Sequence, residues 1–363
     1  MTNLSQRRAR IGVVGAGWWS TQAHLPALTT YAAVESVALA DLNADKLHAA
    51  SAVYPLSGQY TDFRRMLDEE KLDGVVVATN HASHYEVAKE VLSRKLGLML
   101  EKPMVLRACE ARELQRLADE NGVPLVIGYP WHFVAQNQQL RSMIRAGKLG
   151  DIQFVSNLFA SMVLEFLRGQ PQAYASIFNF PVTGPTSTTY SEPAVAGGGQ
   201  GQLQVTHSAA LLFWLTGLKP VSVSAFMETF DLKVDLCDAI NVRFDTGAIG
   251  TLASTGAVAA AQSGNQRLDY HIFGTQGYAS LEVLDGNCAI YPNTGNVERL
   301  DHVPPAQRYP QEATSRHLVD LLLGTAHNNI SPAEYGVSSV ELLEAAYRSA
   351  QEGRVIHVDE LYK

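Results

Sequence analysis

Apolar residues in the first third of the chain gather into short unbroken runs, at residues 11–14, 37–40, 75–78, 98–100 and 125–127. Such runs mark strands buried on both faces rather than half-exposed ones. Between them the apolar positions recur with helical spacing, over residues 42–52, 63–70, 83–94 and 108–121. Strands alternating with helices of this length need crossover connections, and so predict a parallel sheet with helices on both faces. Gly122-Val123-Pro124 closes the last of these helices and leads into the last strand.

From Tyr129 the rhythm changes. A helix is expected over residues 137–146, then strand-like runs at 152–157, 221–230, 239–244, 248–254, 268–274 and 279–284. Turn residues separate them, including Asp245-Thr246-Gly247 and Asp285-Gly286-Asn287, which predicts an antiparallel sheet. Residues 166–199 are rich in Gly, Pro, Ser and Thr and form one long connection, a kind that usually carries function. Two helices close the chain, near residues 312–323 and 337–351.

The first strand runs into Gly15-Ala16-Gly17-Trp18-Trp19-Ser20 and then a helical stretch. Gly15 permits a tight turn, and Gly17 lets the backbone approach a pyrophosphate at a helix N-terminus. Ser20 stands where a third glycine is usual, and it is the next small choice. With strand before and helix after, this is a dinucleotide-binding loop. Asp41 ends the second strand, where a carboxylate accepts hydrogen bonds from both adenosine ribose hydroxyls and repels a 2′-phosphate. That favours NAD over NADP. Asp41 is equally placed to cap the helix beginning near Asn43. The expected division is therefore an α/β N-terminal Rossmann domain, residues 1–128, and an α+β C-terminal domain, residues 129–363. The second carries an open, mainly antiparallel sheet that serves substrate binding and oligomerisation.

Charge and composition remove other classes. A net charge of −8 disfavours nucleic acid and anionic membrane surfaces as partners. No apolar run approaches the roughly 20 residues that span a bilayer. Arg7, Arg8 and Arg10 resemble an export signal, but the short apolar stretch after them is the first strand of the nucleotide fold. Cys109, Cys237 and Cys288 are too few and scattered for a disulfide framework, and no His/Cys cluster has metal-ligand spacing. A cytoplasmic, metal-free protein is expected.

Three further segments carry a family resemblance: Met99-Leu100-Glu101-Lys102-Pro103, residues 78–84 reading ATNHASH, and residues 197–207 reading GGGQGQLQVTH. With the glycine loop and the His24-Leu25-Pro26-Ala27-Leu28 that follows it, the chain resembles the glucose–fructose oxidoreductase/inositol dehydrogenase (Gfo/Idh/MocA) family over nearly its whole length. The resemblance implies that Lys102 orients or deprotonates a carbinol and that the Lys102–Pro103 peptide is cis. It implies that Thr79 and Asn80 line the nicotinamide side, with Trp18, Trp19 and Glu101 also placed toward the cofactor; His84 matches a recurrent family histidine on that side and equally suits a packing role at a helix start. It also makes His207 a catalytic histidine.

Chemistry supports the two main assignments. A partly desolvated amine beside a cationic nicotinamide has a lowered pKa and suits proton transfer. An imidazole with its pKa near neutral suits the other half of a relay. Many relatives carry an aspartate four residues before the histidine; this chain has Leu203 there, and position 211 is also leucine. Gln204 is the nearest polar residue and can hold a hydroxyl but not take its proton. Lys102 and His207 are thus expected to share the acid–base work. Trp131 and His132 suit the wall of a sugar site, and Tyr174, Asn179 and Tyr190 suit further contacts from the long connection; each equally suits an ordinary packing role.

The leading reading is an NAD-dependent oxidoreductase acting on a secondary hydroxyl of a sugar, glycoside or cyclitol, in a homodimer or homotetramer. The alternative is an NAD-dependent glycosidase using transient oxidation, elimination, water addition and re-reduction. A non-catalytic NAD sensor is the third and is disfavoured by the retention of Lys102 and His207.

Overall fold

Six parallel strands form the first sheet of the computed structural model, which describes residues 7–363. They are β1 (Ala9–Val14), β2 (Val34–Ala40), β3 (Gly58–Tyr60), β4 (Gly74–Val77), β5 (Gly97–Leu100) and β6 (Leu125–Ile127), in the order β3-β2-β1-β4-β5-β6. The helices between them are α1 (Leu25–Thr29), α2 (Ala44–Ser51), α3 (Phe63–Glu69), α4 (His84–Ser93) and α5 (Ala108–Asn121). The strand order reverses between β1 and β4, and in open sheets of this type that crevice at the strands' carboxyl ends takes the ligand. Asn43 caps α2 by accepting from the Asp45 and Lys46 amides. Leu42, expected inside that helix, therefore lies outside it and is 91% exposed. The β3 strand reads Gly-Gln-Tyr, so no apolar run announced it.

The second sheet has nine strands in the order β14-β13-β12-β11-β7-β10-β9-β8-β15. Its strands are β7 (Ile152–Ala160), β8 (Pro220–Glu228), β9 (Cys237–Phe244), β10 (Ile249–Thr255), β11 (Arg267–Gly274), β12 (Gly277–Glu282), β13 (Asn287–Pro292), β14 (Glu298–Arg299) and β15 (Ile356–His357). All pairings are antiparallel except β7 with β10, which is parallel. Ahead of it lies α6 (Ala135–Arg145), and between β7 and β8 come α7 (Leu164–Leu167), α8 (Ala175–Phe178), α9 (Pro193–Ala196) and α10 (Thr206–Thr216). Every residue of α10 is buried, as expected of a helix apolar all round. The long connection over 166–199 is thus not featureless but carries short helical turns at Pro171–Tyr174, Ala175–Phe178 and Pro193–Ala196.

Two helices complete the chain, α11 (Ala313–Leu323) and α12 (Ala333–Glu352). Leu318 and Val319 of α11 pack with Ile11, Val76, Met99 and Val126, so α11 covers a face of the first sheet. Val337 and Val340 of α12 join the core containing Leu100 and Ile127. A cut at 128/129 separates the sheets, but the C-terminal segment packs across both halves. One face of the second sheet stays bare: Phe226, Ala239, Ala253 and Leu158 stand in register across β8, β9, β10 and β7, with Phe226 75% exposed.

Candidate active site

The glycine loop is shaped by close approach. Gly15 has φ 104°, and a Cβ there would sit 2.4 Å from the Ala78 carbonyl oxygen. Above Gly17 nothing lies within 4 Å, leaving the backbone open to a ligand. Ser20 is fully buried and begins a π-helical turn, Ser20–His24, before α1. Asp41 braces the loop: its Oδ2 accepts from the Ala16 amide at 2.7 Å and its Oδ1 from the Asn43 amide at 2.9 Å. A cleft of about 620 Å³ runs over Gly15, Gly17, Asp41, Thr79 and Asn80, with Lys46 and Arg64 at its side. Open backbone at a helix start and a carboxylate at the end of β2 fit a dinucleotide.

A second cavity, about 370 Å³, shares Trp18, Trp19, Ala78, Thr79 and Tyr190 with this cleft and continues to Lys102 and His207. Lys102 stands just past β5, and its Nζ donates to the Leu203 carbonyl at 3.0 Å. Burial lowers its pKa to about 8, against the opposing pull of Glu101. Glu101 is itself enclosed, which favours the neutral acid, yet the hydrogen bond and charge of His24, with Lys102, hold its pKa below the ordinary value. Its Oε1 takes Trp19 Nε1 and His24 Nε2, each at 3.0 Å, and its Oε2 takes the Lys102 amide at 3.1 Å. The Lys102–Pro103 peptide is cis.

His207 is 4% exposed, and its ring edges toward Trp131, Tyr129 and Tyr309 at centroid distances of 5.1, 6.0 and 6.3 Å. Among the described residues its Nδ1 has no hydrogen-bond partner. Burial, then Lys102 and His132, push its pKa well down. It is therefore a neutral imidazole at physiological pH, not the near-neutral titrating group expected from the residue type. The π-helical turn Gly201–Val205 that precedes α10 is anchored by Asp235. That carboxylate accepts from the Gly199 amide at 2.7 Å, the Gly201 amide at 2.6 Å and the Tyr347 hydroxyl at 2.7 Å. A Cβ on Gly199 would sit 2.0 Å from the Asp235 carbonyl oxygen, so the glycine run exists to admit this strap. Against it lies Asp238, whose carboxyl is pushed well up by burial and by Asp235.

Trp131, Gln204 and Tyr190 line the cavity as expected, with Tyr190 OH accepting from Trp18 Nε1 at 2.7 Å. Four expected residues sit elsewhere. His132 is fully buried, stacked on Trp214 at 4.7 Å and bonded to Ser331, because the turn after β6 points only Trp131 at the cavity. Tyr174 is core: it stacks on Phe166 at 3.9 Å and donates to Glu165 at 2.9 Å. Asn179 is exposed at the end of α8 with φ 51°. His84 lies behind the wall, its Nδ1 2.8 Å from the Pro103 carbonyl oxygen and its Nε2 3.3 Å from that of Thr79, so it braces cofactor-side residues rather than facing the cleft. Several lining residues were not foreseen: Tyr309, His81, Met162, Phe166, Phe178 and Gln266. His24, the anchor of Glu101, was visible only as part of a motif. Among the described residues no group of three His, Cys, Asp or Glu is placed to hold a metal, and no helix is long and apolar enough to cross a membrane.

Residues 9–129 match the NAD-binding Rossmann-fold model of the GFO/IDH/MocA oxidoreductase family, and residues 137–280 match that family's C-terminal domain model. With both halves of its architecture matched, the chain belongs to the GFO/IDH/MocA oxidoreductase family. The rhizopine catabolism protein MocA of Rhizobium meliloti is 28% identical over 333 residues, covering 87% of this chain and 92% of that protein. The D-glucoside 3-dehydrogenase of Escherichia coli K12 is 29% identical over 143 residues, 39% of this chain and 41% of that one. In structure, GenD2 from gentamicin A biosynthesis, solved with NAD, superposes with a TM-score of 0.76 at 24% identity. That match covers 97% of this chain and 96% of GenD2, and it bears on the fold.

Proposed function

We propose that this protein is an NAD-dependent oxidoreductase of a secondary hydroxyl on a sugar, glycoside or cyclitol. NAD, when bound in the glycine-loop cleft, supplies the acceptor for the hydrogen and electron pair leaving the carbinol carbon. Gly15, Gly17 and Asp41 would hold its pyrophosphate and adenosine ribose, with Thr79, Asn80 and Trp19 toward the nicotinamide. The observation that carries the reading is the Lys102 amine, held by the Leu203 carbonyl in the cavity that adjoins the cleft through Trp18, Trp19, Ala78, Thr79 and Tyr190.

In oxidation the neutral Lys102 amine takes the hydroxyl proton; in reduction the ammonium returns it. Glu101, kept ionised by His24, lies beside the ammonium and offsets its charge. His207 orients the hydroxyl as a neutral donor or acceptor. This departs from the expectation that it would share the proton, since an imidazole so depressed is a weak base. Gln204 adds an amide contact. A dehydrogenase produces one NADH per sugar oxidised, read at the NADH absorbance band with a panel of sugars, methyl glycosides and cyclitols. Release of an aglycone without net NADH would instead establish redox-neutral glycoside cleavage and overturn the reading. We further propose that copies pair through the bare sheet face around Phe226 and Leu158; a monomer at micromolar concentration in light scattering would contradict it.

A further inference from the structure

The substrate cavity has one polar end and one apolar end. Lys102, His207 and Gln204 line the first together with Tyr309, whose ring centroid lies 6.3 Å from that of His207. Met162, Val163, Phe166 and Phe178, which pack in one hydrophobic cluster with Trp18 and Tyr190, line the second, and none of the four borders the nucleotide cleft. The one amide near that end is already occupied: Gln266 accepts from the Met162 amide at 3.2 Å and donates to the Ser263 carbonyl at 3.2 Å.

This apolar end is a built wall. Trp18 meets Phe178 at 5.3 Å and Phe166 at 5.9 Å between centroids, Phe166 stacks on Tyr174, and the Trp18–Tyr190 hydrogen bond fixes the indole. A free sugar or cyclitol carries hydroxyls around its whole rim, and those turned toward Phe166, Phe178 and Met162 would lose water without gaining partners. A flat apolar ring loses nothing there and gains aromatic and thioether contacts.

Resting on the oxidoreductase reading above, we infer that the substrate is a glycoside with a planar, apolar aglycone. Its sugar ring sits at Lys102 and His207, and its aglycone sits against Met162, Phe166 and Phe178.

The test compares phenyl and methyl glycosides of the same sugars, in both anomers, binding to the protein saturated with NADH, by calorimetry. For the sugar series that binds, the phenyl glycoside should bind at least about tenfold more tightly than the methyl glycoside. Phe178→Ala should bring that ratio to within about threefold, the phenyl glycoside losing more affinity than the methyl glycoside. Met162→Ala serves as a second probe should the first variant fail to fold. Equal or weaker binding of every phenyl glycoside, or binding of none, overturns the inference. NADH formation separates it from the parent reading. Equal turnover of methyl and phenyl glycosides with equal affinities retains the oxidoreductase and removes the aglycone. A phenyl preference in binding with no NADH from any compound does the reverse.

Discussion

The two cavities, which meet along Trp18, Trp19, Ala78, Thr79 and Tyr190, are built by opposite means. The nucleotide cleft is largely backbone: a glycine loop with no room for a Cβ at Gly15, open main chain at Gly17, and Asp41 tying Ala16 and Asn43 together. The substrate cavity is made of side chains gathered from Trp18 to Tyr309, and its shape is set by rings packing on rings. Backbone recognition of a pyrophosphate tolerates little change but is indifferent to what the rest of the chain does. Side-chain recognition can be rewritten residue by residue on the same scaffold, which is how one fold serves many substrates.

The sharpest separation of the two comes from Lys102, which lines the substrate cavity and not the nucleotide cleft. Lys102→Ala should lower turnover by about 10²–10⁴-fold, the usual worth of a positioned acid–base group. NAD affinity, measured by titration, should stay within about tenfold, since the loop and Asp41 are untouched. Loss of both together would mean that the cavities are not independent.

Two glycine substitutions should split the regions in opposite directions. Gly15→Ala forces a Cβ onto Ala78 in a left-handed backbone and should weaken NAD at least about tenfold. Gly199→Ala pushes against Asp235 and shifts the turn that carries Leu203 and Gln204. It should cut kcat/KM for the sugar about tenfold or more with NAD affinity nearly unchanged, because the near-attack geometry is lost. Calorimetric titration with NAD and steady-state kinetics check both.

How far the sequence reached follows the same divide. Five of the six strands of the first sheet, the helices between them and the glycine loop were legible because their signals are local: short apolar runs, helical spacing, and Gly122 at a helix end. The β3 strand has no such run, and Asn43 rather than the expected Asp41 caps α2. Six of the nine strands of the second sheet were legible one by one, but β13, β14 and β15 were not, and neither was the parallel β7–β10 pairing, since register between distant strands leaves no local mark. Lys102, Trp131, Gln204 and Tyr190 reach the cavity. His132 and Tyr174 were misplaced because adjacent residues on a turn face opposite ways, and composition does not say which way. Tyr309 lies in an irregular stretch between β14 and α11 and has no periodicity to read. The depressed pKa of His207 depends on burial and on Lys102 and His132, which only the packed structure brings together.

Smaller effects sharpen the comparison further. Asp41→Ala should narrow the preference for NAD over NADP by about tenfold or less, since Arg64 and Lys46 already stand at the cleft to meet a 2′-phosphate. Titrations showing NADP as the tighter ligand of the unaltered protein would reverse the assignment. Asp238→Asn should raise Tm by about 2–4 °C per kcal/mol recovered. Asp238 has a folded pKa raised by burial and by Asp235. Its stabilising effect is therefore complete below the unfolded carboxyl value near 4 and is lost as pH rises from there. The Tm gap between the variant and the parent protein should be near zero at pH 4 and grow toward pH 8. A gap that shrinks with pH would mean that Asp238 is ionised and useful in the fold.

The most direct test of Lys102 as the proton acceptor is the pH profile of kcat/KM for sugar oxidation with NAD saturating. The rate should climb with pH and level off above an inflection at or somewhat below 8, because the amine must be neutral to accept a proton and bound NAD⁺ adds a second cation beside it. In Lys102→Ala the residual rate should lose that inflection, and in His207→Ala the inflection should remain. A profile governed by a group near pH 6–7 that vanishes in His207→Ala and persists in Lys102→Ala would contradict the account and return the base to the histidine.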